Sequence, residues 1–206
     1  MLRIWGRTNS INVQKALWCM AEIGLEYERI DAGLQFGVVD TPQYRAMNPN
    51  ALVPTIEDDG FVLWESNVIV RYLAKRYSDG ALYPGDLRQR FLAEQWMDWQ
   101  ATVLWPAFRD AFWGLVRTPP EKRDEGIIAK SQKRTVELWR GLETQLGKTR
   151  FVVGDTLTMG DIPAGIAAYR CFSLGIERAD LPNVARWYDG LTGRPGFREH
   201  VMLPIT

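Results

Sequence analysis

The chain is 206 residues long, 46% of them hydrophobic and 24% charged, a balance typical of folded rather than disordered proteins. Lysine and arginine together number 25, as do aspartate and glutamate, so the zero net charge predicts no nucleic-acid partner. Two cysteines are too few for a disulfide scaffold and favour a cytoplasmic location. A single histidine excludes most zinc sites, and no metal is expected. The sequence contains no apolar run of the ~20 residues that a membrane span needs, and no signal peptide is recognised.

Residues 1–77 alternate strand and helix patterns. The expected strands are short apolar runs bounded by turn residues: Leu2–Trp5, Tyr27–Ile30, Pro54–Glu57 and Phe61–Trp64. The expected helices follow Ser10, Thr41 and Ser66, each of which can cap a helix N-terminus. Asp58-Asp59-Gly60 predicts a hairpin turn between the last two strands. The order β-α-β-α-β-β-α predicts an α/β layer.

The remainder of the chain has helical periodicity only. Residues 79–89, rich in turn residues, are interpreted as a linker between a domain of residues 1–78 and an all-helical domain of residues 90–206. Four apolar rows predict its helices: Leu92, Trp96, Trp99 and Val103; Leu104, Phe108, Phe112 and Leu115; Trp139, Leu142 and Leu146; Val184, Trp187, Tyr188 and Leu191. Pro106 predicts a kink.

The segment Thr158-Met159-Gly160-Asp161 has the spacing of a capping box at the start of a helix. In this motif the threonine hydroxyl and the aspartate carboxylate each accept a hydrogen bond from the other's exposed backbone N–H. Leu157 and Ile162 occupy the positions of a hydrophobic staple around it. We interpret the motif as a folding signal rather than as part of a catalytic site.

Three short segments of the first domain are candidates for a binding site. Pro54 begins an apolar strand, where a cis bond would turn the backbone of Val53 outward to pair with an extended peptide. An ordinary trans turn is the alternative, since only ~5% of such bonds are cis. Glu65-Ser66 is either a capped helix start or a cradle for a ligand that carries an ammonium and a carboxylate. The Ser10 hydroxyl either caps the first helix or donates to a bound anion there.

Together these segments resemble the cytosolic glutathione transferases, along the whole chain. The resemblance is carried by NPNALVPTIEDDGFVLWESNVIVRYLAKRY at residues 48–77, by GRTNSINVQKALW near the start and by TLTMGDI at residues 156–162. The chain is most similar to bacterial members with a serine-type site, related to the theta, phi and beta groups. The resemblance implies a thioredoxin-like N-terminal domain followed by an all-helical domain, and a homodimer.

The resemblance also implies roles for individual residues. Val53 and cis-Pro54 would hold the cysteinyl backbone of glutathione, and Glu65 and Ser66 its γ-glutamyl end. Ser10 would hydrogen-bond the sulfur, with Thr8 and Asn12 as rivals. The histidine or lysine that holds the glycyl carboxylate in many relatives is missing, because Val39 and Asp40 stand at that distance. Its substitutes would be Gln35 or Arg45.

The implied activity is that of a glutathione S-transferase, with glutathione as co-substrate and a small hydrophobic electrophile as its other partner. The helix with Trp105, Phe108, Arg109 and Trp113 would line the electrophile pocket, although aromatic residues at helical spacing are usually core. The alternatives are a glutathione-dependent isomerase, dehalogenase or reductase on the same fold, or a non-catalytic binding protein.

Overall fold

The computed structural model describes residues 1–176 and 180–206. The chain divides into two compact units, Met1–Tyr83 and Pro84–Thr206. The first helix of the second unit begins at Leu87, inside the segment 79–89 interpreted as a linker. Asp86 caps this helix by accepting a hydrogen bond from the backbone N–H of Gln89 at 2.9 Å. The last three residues of the segment 79–89 therefore belong to a helix and not to a linker.

The first unit is built on a four-stranded mixed sheet with the order β2-β1-β3-β4. The strands are β1 (Arg3–Trp5), β2 (Glu28–Ile30), β3 (Thr55–Asp58) and β4 (Phe61–Trp64). Strand β1 runs parallel to β2 and antiparallel to β3, and β3 is antiparallel to β4. Asp59 and Gly60 both have positive φ, at 48° and 84°, as the central residues of a two-residue type I′ hairpin require. The sequence-based strand and turn predictions are therefore confirmed to within a residue or two.

Three helices accompany this sheet: α1 (Ile11–Glu22), α2 (Pro42–Met47) and α3 (Ser66–Tyr77). Helix α1 makes the crossover that the parallel pair β1–β2 requires, and it packs against α3. Between them lies a core without solvent exposure that includes Ile4, Val13, Ile56, Ile69 and Leu73. The prediction that Ser66 caps α3 is wrong: Glu65 is the N-cap residue, and Ser66 is the first residue of the helix.

The described part of the second unit contains helices and no strand. The helices are α4 (Leu87–Trp99), α5 (Trp105–Phe112), α6 (Glu125–Leu146), α7 (Asp161–Ser173), α8 (Pro182–Thr192) and α9 (Pro195–His200). Widened π-helical turns occupy Gln100–Leu104, just before Pro106, and Trp113–Arg117. In residues 1–176 and 180–206, no helix has both the length and the apolar content to span a membrane.

The apolar row predicted for α4 is not its buried face. Leu92 is 47% and Val103 is 38% exposed. Each buried residue follows one member of the predicted row by one position: Ala93, Met97, Gln100 and Leu104. Large side chains dominated the sequence pattern, whereas the helix is buried through a small and a polar residue as well.

Helix α7 begins beside α4 at a very close approach. A Cβ built on Gly160 would lie 2.9 Å from the backbone oxygen of Ala93 and 2.9 Å from a Val152 methyl, so only glycine fits there. The Asp161 carboxylate accepts the Thr158 backbone N–H at 2.9 Å, as the capping box predicts. The Thr158 hydroxyl instead accepts from the N–H of Gly160, at 3.3 Å. The buried Leu157 and Ile162 occupy the staple positions.

Candidate active site

A cavity of about 50 Å³ lies in the first unit between the start of α1, the loop before β3 and the start of α3. Its lining residues are Asn12, Asn48, Asn50, Leu52, Val53, Pro54, Trp64, Glu65 and Ser66. The structure thus brings together four of the predicted ligand-binding residues, Val53, Pro54, Glu65 and Ser66, together with Asn12.

The loop at the cavity is fastened by buried side chains that the sequence analysis did not single out. Asn48 donates to the Leu52 carbonyl at 2.9 Å and to the Thr55 hydroxyl at 3.1 Å, and its own oxygen accepts from the N–H of Asn50. The Tyr44 hydroxyl donates to the same Leu52 carbonyl at 2.7 Å. Because the Leu52 carbonyl is held by two donors, the loop presents the next residue, Val53, in a fixed orientation. The Val53–Pro54 bond is cis, the first of the two interpretations considered above.

The start of α3 has an unusual backbone. Glu65 has φ of +75°, a conformation that residues other than glycine rarely adopt and that clusters at functional sites. Its side chain makes no capping hydrogen bond to α3. The Ser66 hydroxyl, which is buried, donates to the Asn12 side-chain oxygen at 3.2 Å. The first turns of α1 and α3 are thereby connected at the cavity.

A buried lysine lies next to this hydroxyl. Lys15 is 4% exposed, and its Nζ donates to the Ser66 Oγ at 3.4 Å. Burial lowers the pKa of Lys15 to about 8, and the nearby Glu65 carboxylate partly opposes that shift. Sequence reasoning missed Lys15 because a lysine within an amphipathic helix ordinarily lies on the solvent side. No local sequence signal marks Lys15, because the burial of α1 from Val13 to Met20 results from tertiary packing.

Of the three candidates for the sulfur contact, Asn12 is the one that lines the cavity. Ser10 is the N-cap residue of α1, but its side chain makes no capping hydrogen bond. The alternative role of Ser10 as a helix cap is therefore not used in this structure, although the residue is buried and does not line the cavity. Thr8 lies on the exposed surface before α1.

The two candidates for the glycyl carboxylate are not among the residues that line the cavity. Gln35 lies in the exposed single turn Leu34–Phe36. Arg45, on α2, forms an exposed ion pair with Asp40 at 2.7 Å. The structure therefore does not bring either residue to the side chains that line the cavity.

The four residues proposed for an electrophile pocket lie on or just after α5. Phe108 is fully buried, with its ring 6.3 Å from the rings of both Trp105 and Phe112. It therefore packs in the core of the second unit and does not line an open pocket in this structure. Trp105 is half-buried. Arg109 is exposed beside Asp110, and Trp113 is 57% exposed.

Both cysteines are buried away from these side chains. Burial raises the pKa of the Cys19 thiol to about 12 and also raises that of Cys171. Thiols of such high pKa remain protonated at neutral pH and are poor nucleophiles. Within residues 1–176 and 180–206, no group of three His, Cys, Asp or Glu side chains is placed to hold a metal ion.

Comparison with known proteins identifies the family. The family model described as "Glutathione S-transferase, N-terminal domain" matches residues 1–75, and that for the C-terminal domain matches residues 103–195. The chain is 43% identical to "Glutathione S-transferase GstB" of Escherichia coli (strain K12), over 100% of both chains.

Solved structures agree with these matches. A theta class glutathione S-transferase from Xanthomonas axonopodis pv. citri, with glutathione bound, is 46% identical and superposes with a TM-score of 0.94, covering 100% of this chain and 99% of that one. Its apo form gives a TM-score of 0.87 at 41% identity, over 100% and 98% of the two chains. The full-length identity and the matching fold place this chain in the glutathione S-transferase family.

Proposed function

We propose that this glutathione S-transferase binds glutathione in the cavity at the starts of α1 and α3, and that it activates the thiol there as a thiolate. The observation that carries the proposal is the convergence of Val53, Glu65 and Ser66 on one cavity, in a chain 46% identical to a transferase whose structure contains glutathione. Each of the three offers a group that a part of the tripeptide needs.

The γ-glutamyl end of glutathione carries an ammonium and a carboxylate. The Glu65 carboxylate is the partner for the ammonium, and the Ser66 hydroxyl and the backbone N–H groups at the α3 N-terminus are donors for the carboxylate. Val53 supplies its backbone N–H and C=O to the cysteinyl residue, as the edge of a sheet does. Gln35 and Arg45 remain proposals for the glycyl carboxylate, which would require Arg45 to leave its ion pair with Asp40.

Glu65→Ala tests the ammonium contact. Loss of a charge-assisted hydrogen bond should weaken glutathione binding at least about tenfold. The measurement is calorimetric titration, with Glu26→Ala as the matched control, because Glu26 is an exposed acid of the same unit that does not line the cavity. Equal affinity of Glu65→Ala and wild type would remove Glu65 from the site.

We assign the hydrogen bond to the glutathione sulfur to the Ser10 hydroxyl. A free thiol has a pKa of ~8.5, so a hydroxyl donor and a helix N-terminus that lower it by two units would contribute ~2.7 kcal/mol to thiolate formation at neutral pH. The uncommitted Ser10 hydroxyl at the start of α1 supports this choice. Asn12 is the main rival, because it lines the cavity and its side-chain NH2 can donate to sulfur while its oxygen accepts from Ser66. Thr8 stays a rival on its position alone.

The test is the thiolate absorbance of the glutathione complex against pH in wild type, Ser10→Ala, Asn12→Ala and Thr8→Ala. Ser10→Ala should raise the pKa of bound glutathione and lower turnover by up to 10²-fold, with little change in affinity, because the contact strengthens as charge develops on sulfur. An unmoved pKa in Ser10→Ala, with a raised pKa in one of the others, would transfer the role to that residue.

The thiolate attacks a hydrophobic electrophile, for which the exposed or half-buried Trp105, Arg109 and Trp113 are the proposed contacts. Conjugation, isomerisation, dehalogenation and reduction all begin with the same thiolate. A panel of aryl halides, α-halo acids, organic peroxides and maleyl-type isomers distinguishes these reactions by their products.

The homodimer and the cytoplasmic location are likewise proposals. For a homodimer, light scattering at micromolar concentration should give about twice the 23.6 kDa mass of the chain.

A further inference from the structure

The buried ammonium of Lys15 is not explained by the contacts described so far. Its one hydrogen-bond partner among the described residues is the Ser66 hydroxyl, a neutral group. Glu65, the acid whose charge acts on it, is not within ion-pair distance. Burying a charge without an oppositely charged partner is unfavourable. The first unit therefore holds a positive charge beneath the cavity that an anion would stabilise.

The direction of the hydrogen bonds adds a geometric argument. An ammonium only donates, so the Ser66 oxygen accepts from Lys15 and the single hydroxyl proton of Ser66 must point elsewhere. That proton is donated to the Asn12 oxygen at 3.2 Å. A carboxylate in the cavity is a stronger acceptor than an amide oxygen, and could take the proton over without any rearrangement of Lys15.

Lys15 reaches this position because of helical spacing. It lies three residues after Asn12 on α1, so the two side chains share one face of the helix, and Ser66 lies against both. Two hydrogen bonds, from Lys15 to Ser66 and from Ser66 to Asn12, therefore connect the interior of the first unit to the wall of the cavity.

We propose that Lys15 is a positioning residue for the γ-glutamyl carboxylate of glutathione: it orients the Ser66 hydroxyl outward and supplies the positive charge that balances the bound carboxylate. This inference rests on the proposed glutathione site. Lys15 acts through Ser66 and touches neither the sulfur nor the electrophile, so it should affect affinity and leave the chemical step unchanged.

The experiment pairs a protein change with a ligand change. Lys15→Met replaces the ammonium with an apolar chain of similar length, which removes the cost of burying its charge. Each protein is titrated calorimetrically with glutathione and with 4-aminobutanoyl-cysteinyl-glycine, which is glutathione without the α-carboxylate. Lys15→Arg keeps the charge and is the conservative control.

Wild type should prefer glutathione over the analogue, and Lys15→Met should reduce that preference at least about tenfold. The KM for glutathione should rise correspondingly, kcat at saturation should stay within about twofold, and Lys15→Arg should restore most of the preference. An equal loss of affinity for both ligands would make Lys15 a structural residue and overturn the inference, as would failure of both variants to fold. Absence of glutathione binding by the wild type would instead refute the proposed site itself.

Discussion

Replacement of Asp161 by alanine should be among the most destabilising single changes in the second unit. Its fully buried carboxylate accepts four hydrogen bonds: from the N–H groups of Val152 and Thr158 at 3.0 and 2.9 Å, from the Thr158 hydroxyl at 3.2 Å and from the Trp187 indole at 2.9 Å. The alanine variant leaves two backbone donors and an indole N–H buried without an acceptor. Three such groups at ~1–3 kcal/mol each give a loss of about 3–9 kcal/mol, and we take about 4 kcal/mol, in the lower half of that range.

The sequence motif alone suggested a loss of about 1 kcal/mol, the usual effect of a lost cap. The difference is measurable by equilibrium unfolding in urea, where an m-value of about 2 kcal/mol per M converts 4 kcal/mol into a midpoint lower by about 2 M. Asp124→Ala is the matched control, because Asp124 is an exposed N-cap whose side chain accepts only from the N–H of Ile127, at 3.0 Å. Its loss should be about 1 kcal/mol. Equal losses for the two variants would refute the reasoning, and so would a change in turnover per folded Asp161→Ala molecule.

Two further outcomes follow from buried polar groups. Asn48→Ala removes one hydrogen-bond donor from the Leu52 carbonyl and one from the Thr55 hydroxyl, and it should weaken glutathione binding at least about tenfold. The control is Thr41→Ala, which removes the cap of α2 in the same unit and should change the affinity little. Burial raises the pKa of Asp161 from 3.8 to about 6, so protonation of this carboxyl adds a stabilisation that is fully present below pH 3.8 and is lost as the pH rises through 6. Compared with Asp161→Asn, the wild type should gain stability as the pH falls from 7 to 5, and parallel pH profiles would contradict the shift.

The order of elements could be predicted because local signals and tertiary structure agree. Periodicity, the Asp59-Gly60 turn and the caps predicted the helices and strands, and the motif at residues 48–54 predicted a loop that lines the cavity. The buried face of α4 could not be predicted, because its burial depends on Ala93 and Gln100 rather than on the larger apolar residues nearby.

The site shows the same division. Val53, Glu65 and Ser66 were predicted because each belongs to a short motif with a chemical purpose, and all three line the cavity. Lys15 and Asn48 were not, since their roles depend on partners distant in sequence: Lys15 and Ser66 are 51 residues apart. A polar side chain gives no sign in the sequence of whether it is buried, and the positive φ of Glu65 is likewise a product of the strand-to-helix turn rather than of the residue type.

The backbone of Glu65 has a consequence for how this protein responds to selection. A residue other than glycine at positive φ is strained by ~1–3 kcal/mol, which glycine would relieve while removing the carboxylate. Lys15, at the same cavity, adds an unbalanced buried charge that an apolar residue would remove. Heat resistance and ligand recognition therefore favour opposite residues at both positions. A library screened for thermal survival alone should enrich Glu65→Gly and Lys15→Met, and its most stable members would be folded proteins that have lost glutathione.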